Sequence, residues 1–321
     1  MTPITKMDSW LKQKRCRVLD GALGTELEKL GIDIKSRLWS GKALFYSPET
    51  ITQIHSSYIQ AGAELILTCT YQLSDQGLKD LGIDDPDVYD RAVKLAKDAV
   101  DQNEGENKAK IVGSIGSYGA YLSGGEEYTG EYGAISKSEL EEFHRVRLQS
   151  LLTNPDVDLI GFETIPNILE AETLVVLFNA LATSLNVDKG YYMSFNCREE
   201  SNQSVIADGT SIPEVSDRLS KLDVSRMYAI GTNCCSISTA NGAVELFSKH
   251  TNLPLIVYPN SGERYDKTEK KWLPGECDQK ITDIVVNWLQ LNVKIIGGCC
   301  RTNPHFIRQL RDIVDNSSRS G

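Results

Sequence analysis

Short apolar runs, each closed by Gly, Asn, Asp, Thr or Cys, recur along the chain at 17–20, 64–70, 110–116, 157–164, 191–197, 227–234, 253–260 and 293–300. Amphipathic stretches lie between them. Residues 47–63 gather Ile51, Ile54, Tyr58 and Ile59 on one side, and 136–153 carry Leu140, Phe143, Val146, Leu148 and Leu151. Several runs are apolar at consecutive positions, as in Leu65-Ile66-Leu67 and Leu255-Ile256-Val257, the pattern of parallel strands buried on both faces. Parallel neighbours need crossover connections, and a spacing of about 35–45 residues between most strand starts is one strand–helix unit with a modest loop. Eight such units predict an α/β chain folded as one (β/α)8 barrel of the TIM type over residues 1–321.

An open doubly wound sheet is the competing architecture. Its dinucleotide fingerprint G-x-G-x-x-G is missing, since Gly113, Gly116 and Gly119 make G-x-x-G-x-x-G, and no Walker A sequence occurs. The stretches 124–133 (GGEEYTGEYG) and 261–274 are the main excursions from the repeat.

Charge and composition narrow the function. With 34 Lys and Arg against 44 Asp and Glu, the chain carries a formal charge of −10 and has no basic run suited to nucleic acid. No run approaches the ~20 apolar residues of a membrane helix, and the first residues lack the apolar core of a signal peptide, so the expected location is cytoplasmic. Of eight cysteines, Cys16, Cys69, Cys197 and Cys277 stand alone, whereas Cys234/Cys235 and Cys299/Cys300 are adjacent pairs. Adjacent cysteines seldom bridge each other without strain, which favours a thiolate metal site in a reducing compartment.

In a barrel, the chemistry sits at the C-terminal ends of the strands. Those ends carry Asp20-Gly21, Thr70-Tyr71, Ser114, Glu163-Thr164, Asn196, Asn233-Cys234, Asn260 and Cys299-Cys300. The sixth and eighth strands are separated by one strand, so Cys234, Cys299 and Cys300 can converge on a single ion. Zn²⁺ takes thiolates in a tetrahedron, and three protein ligands leave a fourth position open, as catalytic sites do. Neighbouring residues in a strand face opposite ways, so Cys299 and Cys300 can share an ion only where the strand has ended, a turn that Gly297-Gly298 permits; Cys235 should point away from Cys234. A centre of three thiolates is a poor Lewis acid for hydrolysis but keeps a fourth, substrate thiolate electron-rich, without a general base. Four histidines, none at a strand end, agree with that.

The segments LDGALGTEL at 19–27, GFETIP at 161–166, GTNC at 231–234, YPNSGE at 258–263 and IGGCCRT at 296–302 together resemble the homocysteine S-methyltransferases, a family of zinc-dependent (β/α)8 barrels. The resemblance implies one Zn²⁺ held by Cys234, Cys299 and Cys300, with homocysteine sulfur as fourth ligand. It also implies substrate contacts from Asp20, Gly21 and Glu163, with Tyr71 near the metal and the methyl donor; Asn233, by its place at a strand end near the mouth, is a further candidate substrate contact. The methyl donor implied is S-methylmethionine or S-adenosylmethionine, because betaine-dependent relatives continue well past the double cysteine and only 301–321 follow it here; residues 128–133 look like the fungal branch. The remaining readings are betaine-dependent transfer, transfer to another thiol or a selenol, and a non-catalytic zinc or redox protein. Oligomeric state is left open.

Overall fold

The computed structural model describes residues 6–13, 16–34, 36–105, 108–201, 203–262, 264–266, 271–273 and 277–319. Eight parallel strands follow one another in the expected order: Arg17–Val18, Leu65–Leu67, Lys110–Gly116, Leu159–Ile165, Tyr191–Glu200, Met227–Asn233, Leu255–Tyr258 and Val293–Ile296. They are called strands one to eight below. Each pairs with its sequence neighbours, and strand one also pairs with strand eight, with Arg17 opposite Ile295 and Val18 opposite Ile296. The ring closes between strands one and two through a single parallel bridge, Leu19 to Leu65, with Asp20 N donating to Leu65 O at 3.0 Å.

Alternate side chains of these strands enter two separate apolar layers. One set, including Leu19, Val112, Leu159, Tyr192, Ile256 and Ile295, forms one layer, and the other, including Val18, Ile66, Ile160, Ile230 and Ile296, packs in the second layer with the surrounding helices. This two-sided burial is what the unbroken apolar runs encode. Helix Lys6–Lys12 joins the first layer through Met7 and Leu11. Among the described residues no helix is long and apolar enough to cross a membrane.

Helix Pro48–Gln60 buries Ile51, Ile54 and Tyr58 as its periodicity predicts. Helix Lys137–Thr153 opens with a Ser136–Glu139 capping box and buries Leu140, Leu148 and Leu151. Val146, however, is 53% exposed, and the helix buries the polar side chains of His144 and Arg147 beside its leucines. The reason lies across the interface. Arg147 donates to the carbonyl oxygens of Tyr71, Leu73 and Gly116, while His144 Nε2 stands 2.8 Å from Glu170. Excursion 261–274 contains a two-stranded ribbon, Arg264–Asp266 with Lys271–Leu273, and part of it, including Glu263, lies outside the described residues.

Strands six and seven approach closely at Gly231, where a Cβ would collide with the backbone carbonyl of Ile256. Gly231→Ala is therefore expected to destabilise the fold by about 1–3 kcal/mol in urea unfolding. Val146→Ala on the exposed helix face should stay within about 0.5 kcal/mol of the parent. Equal midpoints for the two variants would contradict this packing.

Candidate active site

Strand six ends in a residue with left-handed backbone, Cys234 at φ 56°, which turns the chain and its thiol at the barrel mouth. Such a conformation is unfavourable for a residue with a Cβ and is held here by the surrounding ladder, with Cys234 N donating to Tyr258 O at 3.3 Å. Strand eight ends at Ile296, four residues before the second cysteine of its pair. The chain then makes a turn in which Thr302 N donates to Cys299 O, with Arg301 at φ 65°. The left-handed residue of this turn is thus Arg301. Gly297 and Gly298 serve a different purpose from the flexibility expected of them: a Cβ at Gly297 would lie 2.7 Å from Leu19 Cβ, and one at Gly298 would strike the Thr302 side chain.

The outcome is the expected convergence. The sulfurs of Cys234, Cys299 and Cys300 all lie within 4.8 Å of one another, with Cys234 and Cys300 3.6 Å apart. A tetrahedron with Zn–S bonds of ~2.3 Å spaces its sulfurs by about 3.8 Å, so the donor set and its spacing suit zinc. Hydrogen bonds from Cys234 and Cys299 pull the Cys300 thiol down, while those to Cys234 and Cys300, with burial, push Cys299 up. Cys235 faces away into the apolar layer and contacts Thr232 Oγ1 at 3.4 Å. Cys16, Cys69 and Cys197 are buried thiols pushed up by burial, and Cys277 has its side chain outside the described ones. A fourth protein sulfur is therefore not supplied by the described residues.

A cavity of about 390 Å³ opens beside the sulfurs. Glu163 reaches it from strand four, 4% exposed, accepting from Ser114 Oγ and, at 3.1 Å, from the Tyr258 hydroxyl. Burial pushes its carboxyl up to about 7, partly offset by those two hydrogen bonds. Asp20 is buried next to Gly21 of the cavity wall; its Oδ2 accepts from Leu67 N at 3.0 Å, and its Oδ1 has no protein partner among the described residues. Burial raises this carboxyl as well. Gly21 packs so tightly that a Cβ would lie 2.8 Å from the Tyr58 ring, and Tyr71 takes its place only because Gly116 has no side chain in its way.

Asn233 lies among these groups as a brace. Its amide accepts from Thr164 N and Ser194 Oγ, both at 2.9 Å, donates to Thr164 Oγ1 at 2.8 Å, and sits 3.9 Å from Cys299 Sγ. Thr70, Asn196 and Asn260 stay out of the cavity lining: Thr70 donates to the Ser114 carbonyl and Asn196 to the Cys234 carbonyl. Ser114, by contrast, both lines the cavity and holds Glu163.

Two groups that the strand-end list passed over come from the excursion 124–133. Tyr128 points its hydroxyl to 3.8 Å from Cys234 Sγ, and Glu127 lines the same cavity. This loop is fastened at its far end, where Tyr132 OH donates to Glu170 Oε2 at 2.5 Å and Gly130 O accepts from Asn167 Nδ2 at 3.0 Å. The aromatic and acidic content of GGEEYTGEYG was the available signal.

Residues 17–314 match the family described as homocysteine S-methyltransferase. The chain is 38% identical to homocysteine S-methyltransferase 2 of Zea mays, covering 94% of this chain and 90% of that one. It is 35% identical to a selenocysteine methyltransferase of Astragalus bisulcatus over 94% and 93% of the two chains. A metallated form of the homocysteine methyltransferase MmuM from Escherichia coli superposes with a TM-score of 0.81 at 32% identity, covering 96% of this chain and 99% of the other. Eight parallel strands, a three-cysteine centre at their ends and these similarities place the chain in the homocysteine S-methyltransferase family, the zinc-dependent methyltransferases built on a TIM-type barrel.

Proposed function

We propose that this single barrel domain moves a methyl group from S-methylmethionine, or from S-adenosylmethionine, to homocysteine in the cytoplasm. The observation that carries this reading is the presence, around one cavity, of three converging cysteine sulfurs and the buried Glu163 carboxyl, with the buried Asp20 next to Gly21 of the cavity wall. Homocysteine has a thiol at one end and an ammonium at the other, which is the complement of that pair. Cys234, Cys299 and Cys300 would hold Zn²⁺, which when bound lowers a thiol pKa and keeps the substrate sulfur as a thiolate at neutral pH. The Glu163 carboxylate receives the ammonium, and the unpaired Oδ1 of Asp20 faces the same demand for an N–H donor. Gly21 brings backbone close to the amino acid end.

The rings of Trp39, Tyr71 and Tyr128 line the cavity and offer π faces to a sulfonium cation. Homocysteine sulfur attacks the sulfonium methyl carbon in line. The new C–S bond forms as the old one breaks, its electron pair going to the donor sulfur, and the thiol proton is released to solvent. With S-methylmethionine as donor the products are two methionines. Positioning by the rigid strand ends supplies the gain over solution. The seven described cysteines are all free thiols, which supports a reducing compartment. Similarity to a selenocysteine methyltransferase supports a second reading with a selenol acceptor.

Methionine formation from homocysteine, with S-methylmethionine, S-adenosylmethionine and betaine as parallel donors and selenocysteine as alternative acceptor, tests these readings. Cys234→Ala, Cys299→Ala and Cys300→Ala should each lose bound zinc and methyl transfer together; a zinc-free variant with full turnover would remove the mechanism.

Glu163 makes a second, pH-resolved expectation. Its folded carboxyl, at about 7 against an ordinary 4.5, holds a proton across that interval which the unfolded chain has released. Its contribution to stability is therefore present at acid pH and falls as pH rises through the interval, and Glu163→Gln should flatten that part of the unfolding profile. Affinity for homocysteine should depend on pH with a component that weakens below about 7. Calorimetry on parent and variant isolates it: the variant should bind more weakly at pH 8 and lack that component. Parallel profiles would show that the carboxylate does not meet the ammonium.

A further inference from the structure

The cavity contains one acidic side chain that the proposed homocysteine contacts leave without a role. Glu127 sits on the loop over the barrel mouth, lines the cavity together with Cys234, Cys300 and Tyr128, and has a buried Oε2 with no hydrogen-bond partner among the described residues. Its neighbour Glu126 behaves differently, turning back to accept from Gly124 N at 2.7 Å and so bracing the loop itself. Glu127 is not needed for that brace. Burial raises its carboxyl, and the charges of Glu126 and, less, of Cys300 raise it further.

A carboxylate oxygen withdrawn from water beside an anionic sulfur centre is unfavourable twice, by desolvation and by like-charge repulsion. Its placement is nevertheless fixed. Gly119 packs under it, where a Cβ would fall 2.7 Å from Glu127 N, and the loop is tied down through Tyr132 and Glu170. Buried polar atoms are ordinarily paired, so a held, orphaned acceptor in a ligand cavity marks a place for a donor on the ligand.

We propose that Glu127 is a specificity residue that accepts a hydrogen bond from the primary ammonium of the methyl donor. This rests on the reading of the chain as a sulfonium-dependent methyltransferase. The sulfonium itself has no N–H or O–H to offer, and the tyrosine and tryptophan rings suit it; an orphaned carboxylate oxygen calls for N–H groups. The acceptor's ammonium is already provided for by Glu163 and Asp20 on the barrel strands, whereas Glu127 enters from the loop side. S-methylmethionine and S-adenosylmethionine carry a primary ammonium, and betaine, whose nitrogen is fully methylated, does not. Glu127 therefore selects amino acid sulfonium donors over onium donors that lack N–H groups.

The test uses the zinc-loaded full chain with homocysteine as acceptor. The donors are S-methylmethionine and its analogue without the amino group, a dimethylsulfonium butanoate. The parent should prefer S-methylmethionine by roughly tenfold or more in kcat/KM, the scale of a charge-assisted hydrogen bond. Glu127→Gln and Glu127→Ala should bring that ratio towards one, mainly through a higher KM for S-methylmethionine, with zinc content and homocysteine affinity unchanged. A parent without preference, or variants that keep the parental ratio, overturn the proposal. Loss of homocysteine affinity or zinc in both variants also overturns it, by giving Glu127 a structural role. Failure of the parent with every sulfonium donor removes the underlying functional reading too, whereas transfer with an unchanged ratio removes only the role of Glu127.

Discussion

Every feature of the site depends on three sulfur atoms being brought together by two strands that are not neighbours. Cys234 leaves strand six and Cys299 and Cys300 follow strand eight, with strand seven between them. Two adjacent residues cannot present their side chains to one point from an extended strand, so the pair must lie beyond the strand in a turn. The left-handed backbone at Cys234 and at Arg301 makes this possible, at positions where glycine would be the easier choice. A cysteine cannot be replaced by glycine and still supply a ligand, so strain at Cys234 is tolerated and the ladder around it must carry it. The close approaches at Gly231 and Gly297 show how the ladder does so, by setting the strand ends against one another with no space for slippage.

The buried carboxyls follow from the same architecture. Glu163 emerges where the barrel interior gives way to the cavity, and among the described residues its side-chain hydrogen-bond donors are a serine and a tyrosine hydroxyl. Neither hydroxyl supplies charge, which is why burial dominates its titration. An ammonium arriving there would supply the charge that the protein withholds. Asp20 has one oxygen satisfied by the backbone of strand two and the other left over. The oxygen left over on Asp20 is a buried polar atom that an N–H group of a ligand would satisfy.

How far the sequence carried this can be judged from particular residues. Unbroken apolar runs such as Leu65-Ile66-Leu67 revealed the parallel strands, since burial on both faces leaves no other solution. Strand ends with Glu, Asp and Cys then disclosed the cavity, because the barrel fixes which end bears chemistry. Arg147 and His144 were illegible: on a helix otherwise read by its apolar side, their burial is decided by Glu170 and three carbonyl groups supplied by distant segments. Tyr128 was hidden for a related reason. A loop has no periodicity to say which of its side chains turns inward, and what holds this one in place is the contact of Tyr132 with a glutamate some 40 residues on, consistent with their separation of 38. The twin glycines before Cys299 were visible as important but not in their role, because a close approach to Leu19 is a property of barrel closure and not of local sequence.

Charge gives the cavity a direction. Cys234, Cys299 and Cys300 holding Zn²⁺ as thiolates would carry a net charge of about −1, and an acceptor thiolate would add another. Glu127, which lines the same cavity, adds to that sign of field when ionised, so the proposed sulfonium donor, with its net positive charge, would be drawn in. In the proposed transfer the acceptor's negative charge cancels against the donor's positive one, leaving two neutral thioethers. Water stabilises the separated ions more than the dispersed charge between them, so apolar lining such as Leu23, Leu67 and Trp39 would favour that reaction by lowering the polarity around it. The electrostatic attraction that would gather such a donor disappears in the same event, so the charge that favours entry of the reactants would not hold the products.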